Sequence, residues 1–471
     1  MQFSPAEEAR RRLAVVVLAA GLGTRMKSKR PKVLHDVCGR PMIAWVGDAA
    51  GALSPDRMLI VLAPQAADDV HQVLSQNVEV AIQERQLGTG DAVRAAKRPL
   101  EGFDGDILVM YGDTPLITSE ELQGLLQAHR AHGPACTLMT VVVGDPFHYG
   151  RVCRDADSRV TRIVEDRDAS EDEKKICEIN AGVYIFESGA LWEALSDVGS
   201  ENAQGEIYLT DVIGILASRG QAVMAHEVAD PAVTIGVNSR GELAEAARIM
   251  RARILDHHMR QGVTVTDPAS TYVDAEVKIG RDTVLEPMTV LAGNTQIGED
   301  CVIGPSSRVV DAVIDDGVTL VSSYVFQAEI GSGCTIGPFA YLRPGARILP
   351  GAKAGTFVEI KNAVVHEGSK VPHLSYIGDA EIGAGTNIGA GNITANYDGR
   401  SKSRTVIGAS VHTGADTVFV APVSIGDGAV TGAGSVITRD VPPGALGISR
   451  PEQRNIEGYA RKKFAPKEEN E

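Results

Sequence analysis

A short repeat in the second half of the chain, isoleucine followed by glycine, constrains the fold most. Ile297 and Ile303 are six residues apart, whereas Ile279 and Ile297 are 18 apart, as are Ile407 and Ile425. A six-residue unit supplies one short strand and one corner, so three units close one triangular coil of a parallel β-helix. The complete set is Ile279, Ile297, Ile303, Ile330, Ile336, Ile377, Ile382, Ile388, Ile407 and Ile425.

Composition agrees with such coils, because aromatic residues make up only 4% of the chain and their rings do not stack inside a narrow coil. The repeat is interrupted twice, from Ile336 to Ile377 (41 residues) and from Ile388 to Ile407 (19 residues). Neither interval is a multiple of six, so we expect loops to leave the coil at both places. Repeat scaffolds usually carry function on such loops.

The first half alternates continuous apolar runs with helical segments, a pattern typical of buried parallel strands. The helix Ser119–His132 is expected to start after Thr118, which forms a capping box with Glu121. This half is therefore predicted to be a doubly wound, Rossmann-like α/β domain. The predicted strands are Leu13–Ala20, Met58–Ala63, Ile107–Tyr111 and Thr137–Val143.

A long helix is predicted between the halves, from Ser239 to Gly262, with its apolar stripe at Leu243, Ala247, Met250 and Ile254. Its charged face, with Glu242, Glu245 and Arg253, is interpreted as solvated surface. The charged stretch Lys462–Glu471 is expected to be partly disordered. The predicted division is a tail at 1–12, the α/β domain at 13–237, a linker helix at 238–261, a left-handed β-helix of hexapeptide repeats at 262–450, and a tail at 451–471.

Charge and composition exclude several functions. The formal net charge of −15 argues against a broad nucleic-acid or acidic-membrane surface. Arg10–Arg12 before Leu13–Ala20 imitates a signal peptide, but the glycine-rich loop that follows argues otherwise, and no other apolar run is long enough to span a membrane. Scattered cysteines without metal spacing indicate reduced, inert thiols. We therefore expect a cytoplasmic enzyme whose substrates are small molecules.

The glycine-rich loop Gly21-Leu22-Gly23-Thr24-Arg25 follows the first predicted strand, so its backbone N–H groups can cradle an anion. It is not a dinucleotide fingerprint, because Met26 replaces the last glycine, nor a P-loop, because no Gly-Lys-Ser/Thr follows. Arg25 and Lys32 add two cations, which suits a triphosphate.

Asp113 follows the strand that ends at Tyr111, so we expect its carboxylate at the carboxyl end of a parallel sheet, where ligands bind. A hard carboxylate there can hold Mg²⁺. Taken alone, a strand-terminal aspartate is more often a turn or cap residue. In the second half, the interval before Ile377 is dense in polar groups that could line one site, namely Arg343, Glu359, Lys361, His373 and Tyr376.

Leu18-Ala-Ala-Gly-Leu-Gly-Thr-Arg-Met26 with Pro31-Lys32 resembles the signature of nucleotide-sugar pyrophosphorylases. With the motifs below, the chain resembles bifunctional bacterial enzymes that acetylate glucosamine 1-phosphate and then transfer uridylate to the product, making UDP-N-acetylglucosamine. The match runs in order through residues 13 to 450. The further motifs are Gln86–Gly90, Tyr111–Asp113, Tyr149–Gly150, Glu165, Glu178–Asn180, Gly236–Asn238, Leu342–Gly345, Phe357–Lys361, His373–Tyr376, Asn387–Gly389, Asn396–Gly399 and Ile448–Arg450.

For uridylyl transfer, the resemblance implies that Arg25 and Lys32 bind the nucleotide phosphates and act in catalysis, and that Asp113 and Asn238 ligate Mg²⁺. The implied UTP-binding residues are Leu18, Ala19, Gly21, Gly23, Arg25, Lys32, Gln83, Gly88, Thr89, Tyr111 and Asp113. Those for N-acetylglucosamine 1-phosphate are Gly150, Glu165, Asn180 and Asn238. Leu22 and Ala181 depart from the common lysine and threonine.

For acetyl transfer, the resemblance implies that His373 is the general base and that Glu359 orients it. Pro372 replaces a usual glycine beside that base, and Ala415 a usual serine. The resemblance also implies a homotrimer with sites between neighbouring β-helices. The implied residues are Arg343, Lys361, Tyr376, Asn387 and Lys402 for glucosamine 1-phosphate, and Asn396, Tyr397, Ala415, Ala433 and Arg450 for acetyl-CoA.

Two alternatives remain open from the sequence. The first is a single-activity pyrophosphorylase whose β-helix is structural or regulatory, against which His373 and the loop Asn396–Gly399 argue. The second is an inactive homologue acting as a scaffold, which has no physical need for both a phosphate clamp and a metal pair.

Overall fold

The computed structural model describes residues 11–73, 78–146 and 148–464. The chain divides near Arg253 into two compact units. Most of the predicted tail at 1–12, and of the predicted disorder at 462–471, lies outside the described residues.

The first unit is the expected α/β domain, built on a twisted sheet covered by helices. All neighbours along its main path are parallel except Glu178–Glu187, which is antiparallel to both of its partners. The strand order is Val223–Glu227, Cys136–Val142, Glu178–Glu187, Asp106–Tyr111, Leu13–Leu18, Arg57–Leu62, Glu79–Ile82. The antiparallel pair Arg151–Arg154 and Val160–Val164 extends this sheet, and Asp36–Val37 pairs with Arg40–Pro41.

Local sequence signals set the helix boundaries. The predicted capping box is confirmed, since the Glu121 N–H donates to Thr118 Oγ1 at 3.3 Å and the Thr118 N–H donates to Glu121 Oε2 at 3.0 Å. The helices of this unit are Met42–Gly51, Ala67–His71, Thr89–Ala95, Ser119–His132, Ser188–Ser196 and Asp211–Ser218, with short 3-10 turns at Thr24–Met26, Lys32–Leu34, Pro64–Ala66, Glu173–Lys175 and Pro231–Thr234.

The last residues of the predicted N-terminal tail are held to this domain. Arg11 Nε lies 2.7 Å from Oδ1 of the fully buried Asp106. Arg130 Nη2 donates to the Arg11 carbonyl at 2.7 Å. These contacts fix the chain directly before the first strand.

The predicted long helix is present at Arg240–Arg260, but its charged face is only partly solvated. Glu242 accepts the Asn238 N–H at 2.8 Å. Arg253 donates to the Leu116 carbonyl at 2.6 Å and to Asp230 Oδ2 at 2.8 Å. The interpretation as plain surface is therefore wrong for these two residues, because a charge pattern does not reveal tertiary partners.

The second unit is a left-handed parallel β-helix with three faces, as the repeat predicts. Its interior is one continuous apolar core that runs from Leu255 to Val441, and Phe419 is the aromatic ring buried in it. The strands of the first face are Thr264–Val265, Val284–Leu285, Val302–Ile303, Thr319–Leu320, Thr335–Ile336, Lys353–Thr356 and Lys370–His373.

The strands of the second face are Tyr272–Val273, Val290–Ala292, Arg308–Val310, Tyr324–Phe326, Tyr341–Leu342, Glu359–Lys361, Tyr376–Gly378, Ile393–Ala395, Val418–Val420 and Val436–Ile437. Those of the third face are Lys278–Ile279, Gln296–Ile297, Val313–Ile314, Glu329–Ile330, Arg347–Ile348, Val364–Val365, Ala380–Ile382, Thr405–Ile407 and Val423–Ile425. Val430–Thr431 pairs with Leu446–Gly447, and a short helix, Tyr459–Lys463, follows.

One of the two predicted loops is wrong. Between Ile336 and Ile377 the coils continue without interruption, since Ile336 pairs with Ala354 and Ala354 with Val371. Ala354 and Val371 take the inward position that isoleucine takes elsewhere, so the repeat is present without its usual Ile-Gly pair. The second loop is confirmed, because the chain leaves the coil between Ala395 and Thr405.

Candidate active sites

A cavity of about 290 Å³ lies in the first unit, where the strands Leu13–Leu18 and Asp106–Tyr111 end side by side. Open α/β sheets bind ligands at this edge. The lining includes nine of the predicted UTP residues, and Ala20, Val33, Gln86, Ala92 and Glu206 join them. The nine are Leu18, Ala19, Gly21, Lys32, Gln83, Gly88, Thr89, Tyr111 and Asp113.

Three predicted residues from distant parts of the chain meet in this cavity region. Lys32 Nζ contacts Asp113 Oδ2 and donates to Asn238 Oδ1 at 2.9 Å. The Val237 N–H donates to the Asp113 carbonyl at 2.8 Å, which holds the two segments together. A carboxylate oxygen and an amide oxygen thus share one cation, and both are hard donors of the kind that Mg²⁺ prefers.

Glycine is required in the phosphate loop at Gly23, whose φ is +62°. A Cβ atom there would lie 2.7 Å from Lys32 Cβ, closer than real contacts allow. The loop therefore packs directly on the backbone that carries Lys32.

Arg25 is exposed and is absent from the cavity lining, so the structure does not bring it onto the Lys32 cluster. Its positive charge does reach Glu242. Partial burial would raise the pKa of Glu242, but hydrogen bonds from the backbone of Asn238 and from Ser239, with the charge of Arg25, lower it.

Gln83 is buried, and its Nε2 donates to the Gly88 carbonyl at 3.1 Å and to Asp91 Oδ2 at 2.9 Å. Gly88 has φ +119°, and a Cβ atom there would lie 2.5 Å from the Ile207 carbonyl oxygen. Sequence reasoning did not identify Asp91, which fixes the amide of Gln83, because an aspartate in a first helical turn carries no distinctive signal.

A second group of predicted residues meets beside the cavity. The Asn180 N–H donates to the Gly150 carbonyl at 2.9 Å, and a Cβ atom on Gly150 would lie 3.5 Å from Glu165 Oε2. Thr210, missed from sequence, donates its hydroxyl to Glu165 Oε1 at 2.9 Å. Burial raises the pKa of Glu165 and, together with the charges of Glu165 and Asp113, also that of Tyr111.

On the β-helix, four of the five predicted sugar-phosphate residues lie on or beside the second face, namely Arg343, Lys361, Tyr376 and Lys402. Tyr341, Glu359 and Tyr376 are direct neighbours on successive coils. Arg343 Nη1 lies 2.7 Å from Glu359 Oε1. Glu359 is therefore paired with Arg343, and no hydrogen bond joins it to His373 within the described residues, contrary to the expected orienting contact.

Lys361 and Lys402 come close together although 41 positions separate them. The proximity of Lys361 lowers the pKa of Lys402. Two neighbouring ammonium groups without a matching pair of carboxylates suit an anion such as a phosphate.

His373 is exposed at the end of a first-face strand, and within the described ranges its imidazole has no hydrogen-bond partner. The ladder continues through Pro372, with Ala354 paired to Val371 and Thr356 to His373. The proline therefore leaves the strand register at His373 intact.

The predicted acetyl-CoA residues form two groups. Asn396 and Tyr397 lie in the loop that leaves the coil, and Tyr397 is bridged to Lys402. Ala415 and Ala433 lie on successive coils, where the Gly434 N–H donates to the Ala415 carbonyl at 2.8 Å. Arg450 Nη1 donates to the Ala433 carbonyl at 2.8 Å.

The remaining predicted sugar-phosphate residue, Asn387, is bridged to Lys370 and His412 on the first face.

Other features bound the chemistry. None of the six cysteines forms a disulfide, and all six lie in the described ranges; Cys136, Cys301 and Cys334 are buried. In those ranges, no three acidic, histidine or cysteine side chains gather as an all-protein metal site requires. No helix there has both the length and the apolarity needed to cross a bilayer.

Comparisons with known proteins match both halves of the chain. A MobA-like NTP transferase domain matches residues 15–174, and the six-repeat bacterial transferase hexapeptide matches residues 276–311 and 404–439. "Bifunctional protein GlmU" of Corynebacterium efficiens is 49% identical over 456 residues, which is 96% of this chain and 94% of the relative. The proteins of that name from Mycobacterium tuberculosis and Streptomyces avermitilis are also 49% identical, over 96% of this chain and 92% and 94% of theirs.

The fold and the two sites define a nucleotidyltransferase joined to a hexapeptide-repeat acyltransferase. The chain belongs to the GlmU family. It is a bifunctional enzyme of UDP-N-acetylglucosamine synthesis, with uridylyltransferase and glucosamine-1-phosphate acetyltransferase activities. The single-activity alternative and the inactive scaffold are thereby set aside.

Proposed function

We propose that the cavity of the first unit binds UTP and N-acetylglucosamine 1-phosphate, and that the polar surface of the β-helix binds glucosamine 1-phosphate and acetyl-CoA. The observation that carries the first assignment is the meeting of Lys32, Asp113 and Asn238 at the cavity. The second rests on the neighbouring ammonium groups of Lys361 and Lys402.

In uridylyl transfer, the sugar phosphate oxygen attacks the α-phosphorus of UTP in line, and pyrophosphate leaves. Positioning and charge neutralisation supply the catalysis, so no covalent nucleophile is needed. The backbone N–H groups of the loop at Gly21 and Gly23, with Lys32, hold the phosphates, and Gln83 and Gly88 face the uracil. Glu165 and Asn180 orient the sugar.

Mg²⁺ fits the oxygen pair of Asp113 and Asn238, because both oxygens already converge on one cation, the ammonium of Lys32. When bound there, Mg²⁺ neutralises charge that develops on the phosphates. Arg25, exposed at the edge of the loop, contributes a second cation to the bound phosphates.

In acetyl transfer, the amine nitrogen of glucosamine 1-phosphate attacks the thioester carbonyl carbon, the C–S bond breaks, and coenzyme A leaves as the thiol. His373 takes the proton that the amine nitrogen loses and passes it to the departing sulfur, so that coenzyme A leaves as the thiol. Arg343, Lys361, Tyr376, Asn387 and Lys402 hold the sugar phosphate, and Asn396, Tyr397, Ala415, Ala433 and Arg450 border acetyl-CoA.

We further propose that the β-helix is a homotrimer and that a second copy completes this site. Phe339, Phe357 and Leu374 occupy the same corner on successive coils, and 58%, 58% and 61% of their surface is exposed. The rings of Phe339 and Phe357 stack at 5.2 Å. This apolar ridge adjoins the exposed His373, as expected where another copy packs.

The uridylyl assignment is tested by pyrophosphate release from UTP and N-acetylglucosamine 1-phosphate in Lys32→Met, with the exposed Lys29→Met as a control. We expect Lys32→Met to lose about 100-fold or more of kcat/KM, since it removes a cation aimed at transition-state charge. Equal rates in the two variants would contradict the assignment.

A further inference from the structure

Asp379 lies at the corner between the second and third faces, directly after the strand Tyr376–Gly378, with φ +49°. Only 9% of its surface is exposed. A buried carboxylate needs hydrogen-bond or charged partners, since burying an unpaired charge is costly. Its partners therefore indicate what it does.

Each carboxylate oxygen of Asp379 accepts an amide N–H from the same corner of a neighbouring coil. Asn362 Nδ2 donates to Oδ1 at 2.6 Å, and Asn396 Nδ2 donates to Oδ2. Because Asn396 begins the loop that leaves the coil, Asp379 fixes the base of that loop. The same loop carries Lys402, which is bridged to Tyr397.

The charge of Asp379 also acts on the lysine pair. Burial would raise its pKa, but the amides of Asn362 and Asn396 and the positive charges of Lys361 and Lys402 hold it below its ordinary value. Lys361 lowers the pKa of Lys402, and Asp379 opposes that repulsion. The charge of Asp379 therefore offsets part of the repulsion between the two ammonium groups.

We propose that Asp379 is a positioning residue of the acetyltransferase site, which holds Lys361, Lys402 and the base of the Asn396 loop in the arrangement that receives the phosphate of glucosamine 1-phosphate. The inference rests on the proposed function of the two lysines. Asp379 does not touch the reacting atoms; it acts through groups that do.

Asp379→Asn is the direct test, because the amide keeps the size of the carboxylate but does not accept two amide donors. Thiol release gives the KM for each substrate, and we expect the KM for glucosamine 1-phosphate to rise about 10-fold and that for acetyl-CoA, which Asn396 borders, to rise by a smaller factor of about three. Asp311→Asn is the matched control: Asp311 lies at the same corner of an earlier coil, with φ +50°, and accepts the Asn294 N–H at 2.9 Å. It should leave both constants unchanged.

Two further variants keep the outcome decisive. Asn362→Ala removes one tether but keeps the carboxylate, and should raise the same KM about three-fold even if Asp379→Asn is too unstable to assay. In a Lys402→Met background, Asp379→Asn should add less than about two-fold, because the lysine it positions is gone.

Each contrary result has a distinct meaning. If Lys361→Met and Lys402→Met raise the KM for glucosamine 1-phosphate but Asp379→Asn and Asn362→Ala do not, the positioning role is wrong and the sugar-phosphate assignment stands. If neither lysine variant raises it, both ideas are overturned.

Discussion

The two candidate sites differ in how completely one chain builds them. In the first unit, a cavity encloses Lys32 and Asp113, whose side chains are only 11% and 17% exposed. On the β-helix, His373 is exposed and has no hydrogen-bond partner among the described residues. A doubly wound sheet converges loops on one edge, whereas a solenoid spreads its side chains along flat faces. A solenoid therefore needs a loop or a second copy to enclose a substrate.

Asp113→Ala tests whether the two sites act independently and has the largest expected effect, because it removes a charge from the cavity of the first unit only. We expect uridylyl transfer to fall about 1000-fold through the loss of transition-state charge stabilisation. Pyrophosphate release measures it, and the exposed Asp104→Ala is the control. Thiol release from acetyl-CoA should persist at the wild-type rate; parallel loss of both activities would refute two independent sites.

Phe357→Glu tests whether the open site needs a second copy. A charge on the apolar ridge should dissociate the proposed trimer, and acetyl transfer should fall about 100-fold while uridylyl transfer is retained. Light scattering reports the assembly. Met288→Glu is the control, since Met288 is 58% exposed at the same corner of an earlier coil. A monomeric wild type that is fully active in acetyl transfer would exclude the shared site.

Gly23→Ala tests whether the close packing of Gly23 against Lys32 matters for uridylyl transfer. Strain at a left-handed backbone position costs about 1–2 kcal/mol, and the added methyl displaces Lys32, so kcat/KM for uridylyl transfer should fall about ten-fold. Gly51→Ala meets nothing within 4 Å and provides the control. If both variants match the wild type, the close approach of Gly23 to Lys32 does not matter for catalysis.

The smallest expected effect is a pH dependence at Glu165. Burial raises the pKa of this carboxyl, so it takes up a proton at a higher pH than an exposed glutamate does. As a carboxylate it accepts hydrogen bonds, and the KM for N-acetylglucosamine 1-phosphate should therefore rise as the pH falls through that pKa. Glu165→Gln should remove this dependence; an identical pH profile in the variant would assign the titration to another group.

Much of the fold can be predicted from the sequence, because apolar residues recur at the spacing at which positions are buried. The Ile-Gly spacing predicts the coils, and Thr118 with Glu121 marks a helix start that the structure reproduces. The false loop after Ile336 has the opposite cause. Ala354 fills an inward position but is not part of an Ile-Gly pair. The search for Ile-Gly pairs therefore missed coils that a search for apolar residues at the same spacing would have found.

The site residues divide in the same way. Lys32 and Asp113 lie in recognisable motifs, and the structure brings them into contact. Thr210 and Asp379 have partners 45 and 17 positions away, and Asp91 lies eight positions after Gln83 without any distinctive motif around it. No local pattern therefore reveals these three residues. Positioning residues depend on tertiary neighbours, which a single sequence does not specify.

Two separate transferase sites on one chain require that the β-helix be catalytic, and thiol release from acetyl-CoA on addition of glucosamine 1-phosphate measures that activity. It should be measured for the wild type and for His373→Ala, with pyrophosphate release in parallel. We predict that the wild type releases thiol and that the variant loses this activity alone. If the wild type releases no thiol while still making pyrophosphate, the β-helix is structural and the chain carries one transferase site.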